Sequence, residues 1–180
     1  MKKPQLAILG LLALVGIAVA ADDSISLGDR VPAFNVRDIT GPSKGKTLCY
    51  RCQYGDRPVV TVFTREINDS VVSLVKNVDA QVAANKDKKM ASFVVLLTDN
   101  ADEAEAKLSE IAKKENIKNI PLTIIEGDAG PKGYGIQKDA ETTVMMWVDG
   151  ELKVNETFAK GKLDKKSADA LAGQTAKILN

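Results

Sequence analysis

Val59-Val60-Thr61-Val62-Phe63, opened by Pro58, and Phe93-Val94-Val95-Leu96-Leu97 are the two stretches that decide the fold. Both are rich in β-branched and aromatic residues, which fit a pleated strand surface. The second is apolar almost without interruption. Such a strand has to be covered on both sides, as the inner strands of a parallel sheet are. Between the two, Val71, Val75, Val78 and Val82 recur at helical spacing behind the capping candidates Asn68, Asp69 and Ser70. Strand, helix and strand in that order predict a right-handed crossover between parallel neighbours.

The pattern continues outward from this unit. Asp99-Asn100 is placed to cap a second helix, with Asp102, Glu103 and Glu105 in its first turn and Lys113 and Lys114 in its last. Those charges suit the two ends of the helix dipole. Ala104, Leu108, Ile111 and Ala112 supply its inward face. Pro121 then opens a third strand, Leu122-Thr123-Ile124-Ile125, followed by a loop holding Gly127, Gly130, Gly133 and Gly135. Two more strand-like runs, residues 142–148 and 152–158, are joined by Asp149-Gly150, a dipeptide that predicts a tight hairpin. A last helix over residues 164–179 turns Ala168, Leu171, Ala172, Thr175 and Leu179 inward. The order is β-α-β, then an inserted α-β, then β-hairpin-α. It predicts an α/β fold, a mixed central sheet with helices on both faces. Upstream, residues 27–45 alternate apolar residues with turn formers, leaving room for one short edge strand over residues 34–39.

The N-terminus reads differently. Met1-Lys2-Lys3-Pro4 is basic, residues 6–20 are uncharged and largely apolar, and Ala18-Val19-Ala20 has the small-x-small spacing of a signal-peptidase site. About fifteen helical residues reach only about 22 Å, short of a hydrocarbon core of about 30 Å. The chain is therefore expected to divide into a signal peptide over residues 1–20, an irregular lead over residues 21–57 and a core over residues 58–180. Removing Lys2 and Lys3 with the leader leaves 23 basic residues against 24 acidic ones. A net charge of −1, with the signs interspersed, gives no footprint for nucleic acid, and no later apolar run suits a membrane.

Absences narrow the chemistry further. The chain has no histidine, which excludes histidine triads, histidine general bases and histidine-ligated zinc. Gly133-Tyr134-Gly135 is a lone glycine pair and reads as turn chemistry, so no cofactor is expected. The two cysteines stand together in Cys49-Tyr50-Arg51-Cys52. Two readings of this motif stay open. As a dithiol site, Lys46, Arg51 and Arg57 would favour a thiolate at Cys49. As a structural disulfide, it would fix the loop leading to Pro58. Gly55 and Pro58 leave no room for a helix of useful length at Cys49. The motif is also expected at the amino end of the first core strand, whereas open α/β sheets bind ligands at the carboxyl end. A metal is not expected, since zinc asks for four such ligands and a single chain offers two.

Three stretches carry a resemblance. Leu27-Gly28-Asp29-Arg30-Val31-Pro32-Ala33-Phe34 with Asp38-Ile39-Thr40-Gly41, Ile120-Pro121-Leu122 through Tyr134-Gly135-Ile136, and Thr142-Thr143-Val144 through Asp149-Gly150-Glu151-Leu152 together resemble the thioredoxin-like superfamily. Within it, the match is to the peroxiredoxin and exported thioredoxin-like reductase branch. The resemblance implies a thioredoxin-like core and an exported thiol-disulfide protein acting on protein thiols or disulfides. It also implies Cys49 as the exchanging thiol and Cys52 as its resolving partner. The family's own places are vacant here. Its reactive cysteine follows the first core strand, where this chain reads Thr64-Arg65-Glu66-Ile67-Asn68-Asp69-Ser70, and its cis-proline is replaced by Glu141. The alternative is a non-catalytic binding or structural domain in which Cys49–Cys52 is a staple. A peroxidase ranks third, because the Thr-x-x-Cys arrangement is missing. N-terminal sequencing of the exported protein is expected to start at Ala21, and an intact Met1 in a membrane fraction would contradict the leader.

Overall fold

The computed structural model describes residues 24–179, so the expected signal peptide over residues 1–20 lies outside the described residues. In chain order the elements are β1 (Val36–Asp38), β2 (Thr47–Leu48), α1 (Tyr50–Tyr54), β3 (Val59–Thr64), α2 (Asp69–Ala84) and β4 (Ala91–Thr98). They continue with α3 (Ala101–Lys114), β5 (Leu122–Glu126), β6 (Ala140–Val148), β7 (Glu151–Ala159), α4 (Lys165–Gln174) and α5 (Ala176–Leu179).

The strands form one mixed sheet in the order β2-β1-β5-β4-β3-β6-β7. As expected, β3 and β4 are parallel neighbours, in register from Val59 opposite Ala91 to Thr64 opposite Leu96. The inserted unit adds β5 parallel to β4, and the closing hairpin adds β6 antiparallel to β3. Asp149 and Gly150 sit at the hairpin tip with φ of 57° and 75°. Positive φ at both central residues is what a two-residue turn between twisted strands requires.

Alternation along the strands divides the core in two. Val60, Val62, Val94, Leu96, Ile124 and Met146 face α2, α3 and α4, meeting Val71, Leu74, Val78, Leu108 and Leu171. Val59, Phe63, Phe93, Val95, Met145 and Trp147 face the other way. That second face is covered by α1 and by irregular chain, through Val31, Tyr50, Tyr134 and Ile136. Helices thus lie on both faces, unequally. Asn68, Asn100 and Asp164 cap α2, α3 and α4 through bonds to the N–H groups of Val71, Glu103 and Ser167.

Two local readings change. The single edge strand expected over residues 34–39 is β1, but it lies inside the sheet, and β2 takes the edge instead. The reason is that the turn after Asp38 folds the chain back antiparallel, with the Asp38 N–H bonded to the Lys46 carbonyl at 2.9 Å. The last helix also breaks at Thr175, whose buried hydroxyl donates to the Ala172 carbonyl at 2.7 Å.

Phe93 sits at the centre of the second face, with ring centroids 5.5 Å from Tyr50, 5.8 Å from Phe34 and 6.2 Å from Trp147. Phe93→Ala is expected to destabilise the fold by about 3–5 kcal/mol, read as a lower denaturant midpoint in equilibrium unfolding.

Candidate functional site

β1 and β2 set the position of the cysteine pair. One row of partners crosses the sheet: Thr47 opposite Arg37, Arg37 opposite Ile124, Ile124 opposite Leu96, and Leu96 opposite Thr64. Four strand spacings of about 4.8 Å put Thr47 about 19 Å from Thr64. Because β2 is antiparallel to β1, and β1 to β5, β2 runs parallel to β3. Leu48 follows Thr47 on that edge, and α1 then crosses the second face, with the Tyr54 hydroxyl 3.5 Å from the Ser92 carbonyl. After α1 the chain enters β3 at its amino end, where the Asp149 N–H bonds the Asp56 carbonyl at 3.0 Å. The motif is displaced across the width of the sheet, and the chain returns over the second face to Pro58.

Cys49 and Cys52 are joined as a disulfide with their Cα atoms 5.2 Å apart. Cys49 keeps the extended backbone of β2, with φ −105° and ψ 97°, and serves as the N-cap of α1. A helix begins at the motif but is short, as expected: it runs for only five residues before Gly55 ends it with φ 57°. Its contribution at the sulfur is a single bond, from the Cys52 N–H to Cys49 Sγ at 3.0 Å. Cys49 is half-buried and Cys52 is exposed.

Of the three cations singled out near the motif, Arg51 and Arg57 have other partners. Arg51 donates through Nε to the Val31 carbonyl at 2.8 Å and lies against Gly150 at the hairpin tip. Arg57 donates to the Lys89 carbonyl at 2.6 Å and stacks over the Tyr54 ring at 5.0 Å. Among the described residues, no group of three or more acids and cysteines is arranged to hold a metal.

What fixes α1 was missed in the sequence. Tyr50 is buried, and its hydroxyl donates to Asp38 Oδ2 at 2.8 Å. The same carboxylate accepts the N–H groups of Gly41 and Ser43 at 2.7 and 2.8 Å. Gly41 has to be glycine, because a Cβ there would come within 2.5 Å of the Tyr50 hydroxyl and 2.7 Å of Asp38 Oδ2. Asp38-Ile39-Thr40-Gly41 carries a turn signal, Asp at the first position and Gly at the fourth. Nothing in the sequence ties that turn to Tyr50. One turn further along the same face of α1, Tyr54 stacks on Tyr50 with centroids 5.3 Å apart.

Where the family keeps its reactive cysteine, polar side chains bond one another. Thr64 Oγ1 donates to the Glu66 carbonyl at 2.8 Å and lies 3.2 Å from Thr142 Oγ1. The Arg65 N–H bonds the Glu141 carbonyl at 2.9 Å. Asn68 Nδ2 bonds Glu141 Oε1 at 2.9 Å, so the residue standing for the cis-proline is tied to the cap of α2. All peptide bonds of the described residues are trans. Beside this end, a cavity of about 160 Å³ is lined by Arg65, Glu66, Thr98, Asn100 and Lys107 among others.

No protein-family model matches the chain. No curated protein matches it either. Solved structures do. A candidate protein disulfide isomerase from Bacteroides thetaiotaomicron aligns over 86% of this chain and 91% of its own, with a TM-score of 0.63 and 16% identity. A candidate thiol:disulfide interchange protein DsbE from Chlorobium tepidum aligns over 87% and 100%, with a TM-score of 0.63 and 17% identity. The fold is thioredoxin-like. A secreted disulfide oxidoreductase of Mycobacterium tuberculosis, homologous to E. coli DsbE, aligns over 81% and 96%, with a TM-score of 0.57 and 14% identity. Identities this low describe the thioredoxin-like scaffold and leave the chemistry to the side chains.

Three tyrosines report on the packing around the site. Burial and the Asp38 bond hold the Tyr50 phenol far above its ordinary value. Burial pushes Tyr54 up to about 12 although Arg57 pulls it down, and burial likewise raises Tyr134. A phenol raised in the fold favours folding below its unfolded value of about 10, and the benefit disappears as pH climbs through the folded value. Stability is thus expected to fall between about pH 10 and pH 12. Denaturant titrations across that interval check it: Tyr54→Phe should fall less steeply than the parent.

Proposed function

We propose that the chain is a thiol-disulfide exchange protein working outside the cytosol, with Cys49 and Cys52 as its redox couple and protein thiols or disulfides as substrates. The observation that carries this reading is a disulfide, half-buried at Cys49 and exposed at Cys52, on a segment that other side chains already hold. Tyr50 on Asp38, Arg51 on Val31 and Tyr54 against Tyr50 anchor α1 without the sulfur bond. The bond can therefore open and close without the fold following it. In the reduced form, the Cys52 N–H that faces Cys49 Sγ favours a thiolate there. Cys49 is then the exchanging thiol, and Cys52, in the first turn of α1, resolves the mixed disulfide. The similar mycobacterial oxidoreductase is described as secreted. The leader over residues 1–20 fits that compartment, where disulfides persist. Residues 21–57 and 58–180 then act as one unit, the lead supplying the redox pair and the core its support.

A second reading has its own observation. With Thr64 and Glu141 bonded to their neighbours where the family keeps its site, the domain could keep the fold for binding alone and use the disulfide as a staple. Closing so short a loop contributes about 2 kcal/mol on the chain-entropy account. The reduction potential separates the two. An exchanging pair is expected above about −270 mV, and a structural disulfide below about −300 mV. Cys49 should be alkylated at lower pH than Cys52, and Cys49→Ser should abolish reduction of a protein disulfide while the fold persists. A couple that resists reduction, in a protein whose Ser variant only melts earlier, would establish the staple.

A further inference from the structure

β2 is the open edge of the sheet, and it runs directly into the disulfide. Its ladder shows which backbone groups face outward. The Asp38 N–H bonds the Lys46 carbonyl, so Arg37 and Thr47 form a non-hydrogen-bonded pair and Leu48 turns its groups toward Val36. Thr47 therefore directs its N–H and C=O away from the sheet, and among the described residues no strand pairs with that side. Thr47 is exposed. Since Cys49 is still extended, its N–H points the same way by the same alternation. The edge thus ends on the reactive residue itself.

We propose that this edge is the substrate-docking surface: an extended, cysteine-bearing polypeptide adds to β2 as an antiparallel strand and delivers its sulfur opposite Cys49. The proposal rests on the exchange reading above and names how the substrate is held. A residue paired with Thr47 exchanges two backbone bonds with it, and the residue two positions before it lies opposite Cys49. Side chains directly opposite on paired strands have Cβ atoms about 4.5–5.5 Å apart, and a disulfide needs about 3.5–4.5 Å. A small adjustment closes that gap. The residue following the Thr47 partner falls opposite Lys46. Lys46 and Lys44 are exposed, and neither forms an ion pair among the described residues. The matching substrate therefore reads Cys-x-x-Glu or Cys-x-x-Asp. So short an edge gives few backbone bonds, which suits the small, transient contacts of redox partners.

The exchange balances as follows. The Cys49 thiolate of the reduced protein attacks the substrate disulfide at the sulfur opposite it, forming the mixed disulfide. The substrate's other sulfur leaves as a thiolate and takes a proton from water. Cys52, deprotonated, then attacks Cys49 Sγ, releasing the second substrate thiol and restoring Cys49–Cys52. Two electrons pass from the protein to the substrate disulfide.

Trapping in Cys52→Ser tests docking without turnover, so failure here and failure of the exchange reading are separate results. The probes are peptides carrying Cys-x-x-Glu or Cys-x-x-Lys, activated as mixed disulfides with thionitrobenzoate, and the small reagent dithionitrobenzoate. The Glu peptide should react severalfold faster than the Lys peptide, and adding Lys46→Glu should reverse that order. Thr47→Pro removes one outward N–H, and the ratio of Glu-peptide rate to small-reagent rate should fall about fivefold, the value of roughly one hydrogen bond. In the trapped adduct, the Thr47 and Cys49 amides should exchange hydrogen more slowly than in the unreacted protein. That measurement decides the matter should Thr47→Pro fail to fold. Unchanged amide exchange, an unchanged rate ratio in a folded Thr47→Pro, or a dimer sealing the β2 edge in sedimentation would each overturn the proposal.

Discussion

β3 and β4 are apolar on both faces, and each face has to be covered. Every residue of β3 from Val59 to Thr64 is buried, as is every residue of β4 except Thr98. A right-handed crossover places α2 over one face, and the next crossover, in the same direction, places α3 there too. The other face is left to chain that has no long helix. Residues ahead of β3 and the loop after β5 fill it with Val31, Phe34, Tyr50, Tyr134 and Ile136. Covering Phe63, Phe93 and Trp147 is the requirement that brings the cysteine motif onto the sheet at all.

That requirement also explains why the motif is anchored so firmly. Tyr50, between the two cysteines, is one of the covering residues, so its phenol enters an apolar layer and needs a partner there. Asp38 supplies it from β1, and the turn through Gly41 and Ser43 satisfies the carboxylate in return. The same bond that completes the core therefore sets the starting angle of α1. Packing comes first, and the exposed sulfur geometry follows from it.

The end of the sheet where thioredoxin-like proteins usually work is organised for something else. Thr64, Arg65, Asn68 and Glu141 bond one another, and the Glu141 carbonyl is taken by Arg65. A strand added there would find that carbonyl occupied. On the opposite edge, β2 offers backbone groups that face outward and continue into Cys49. The chain keeps the scaffold and carries its cysteine pair just beyond Thr47, four strands from Thr64, a displacement set by register rather than by any change in the core.

The core was legible because its signals are local. Continuous apolar runs, helical valine spacing, capping residues and Asp149-Gly150 each act within a few residues, and the parallel crossover from β3 to β4 followed from them through handedness. Cys49 and Cys52 were equally legible as a pair, since three residues of separation already permit a bond. Where the pair sits was not. It depends on a fold-back after Asp38 that places β2 outside β1, and on a hydrogen bond between Asp38 and Tyr50, twelve residues apart. Neither leaves a periodic trace. The sequence by itself determined a mixed α/β sheet and a cysteine pair ahead of it. Only the tertiary structure decided which strand edge leads into that pair, because pairing and register join residues that the chain keeps apart.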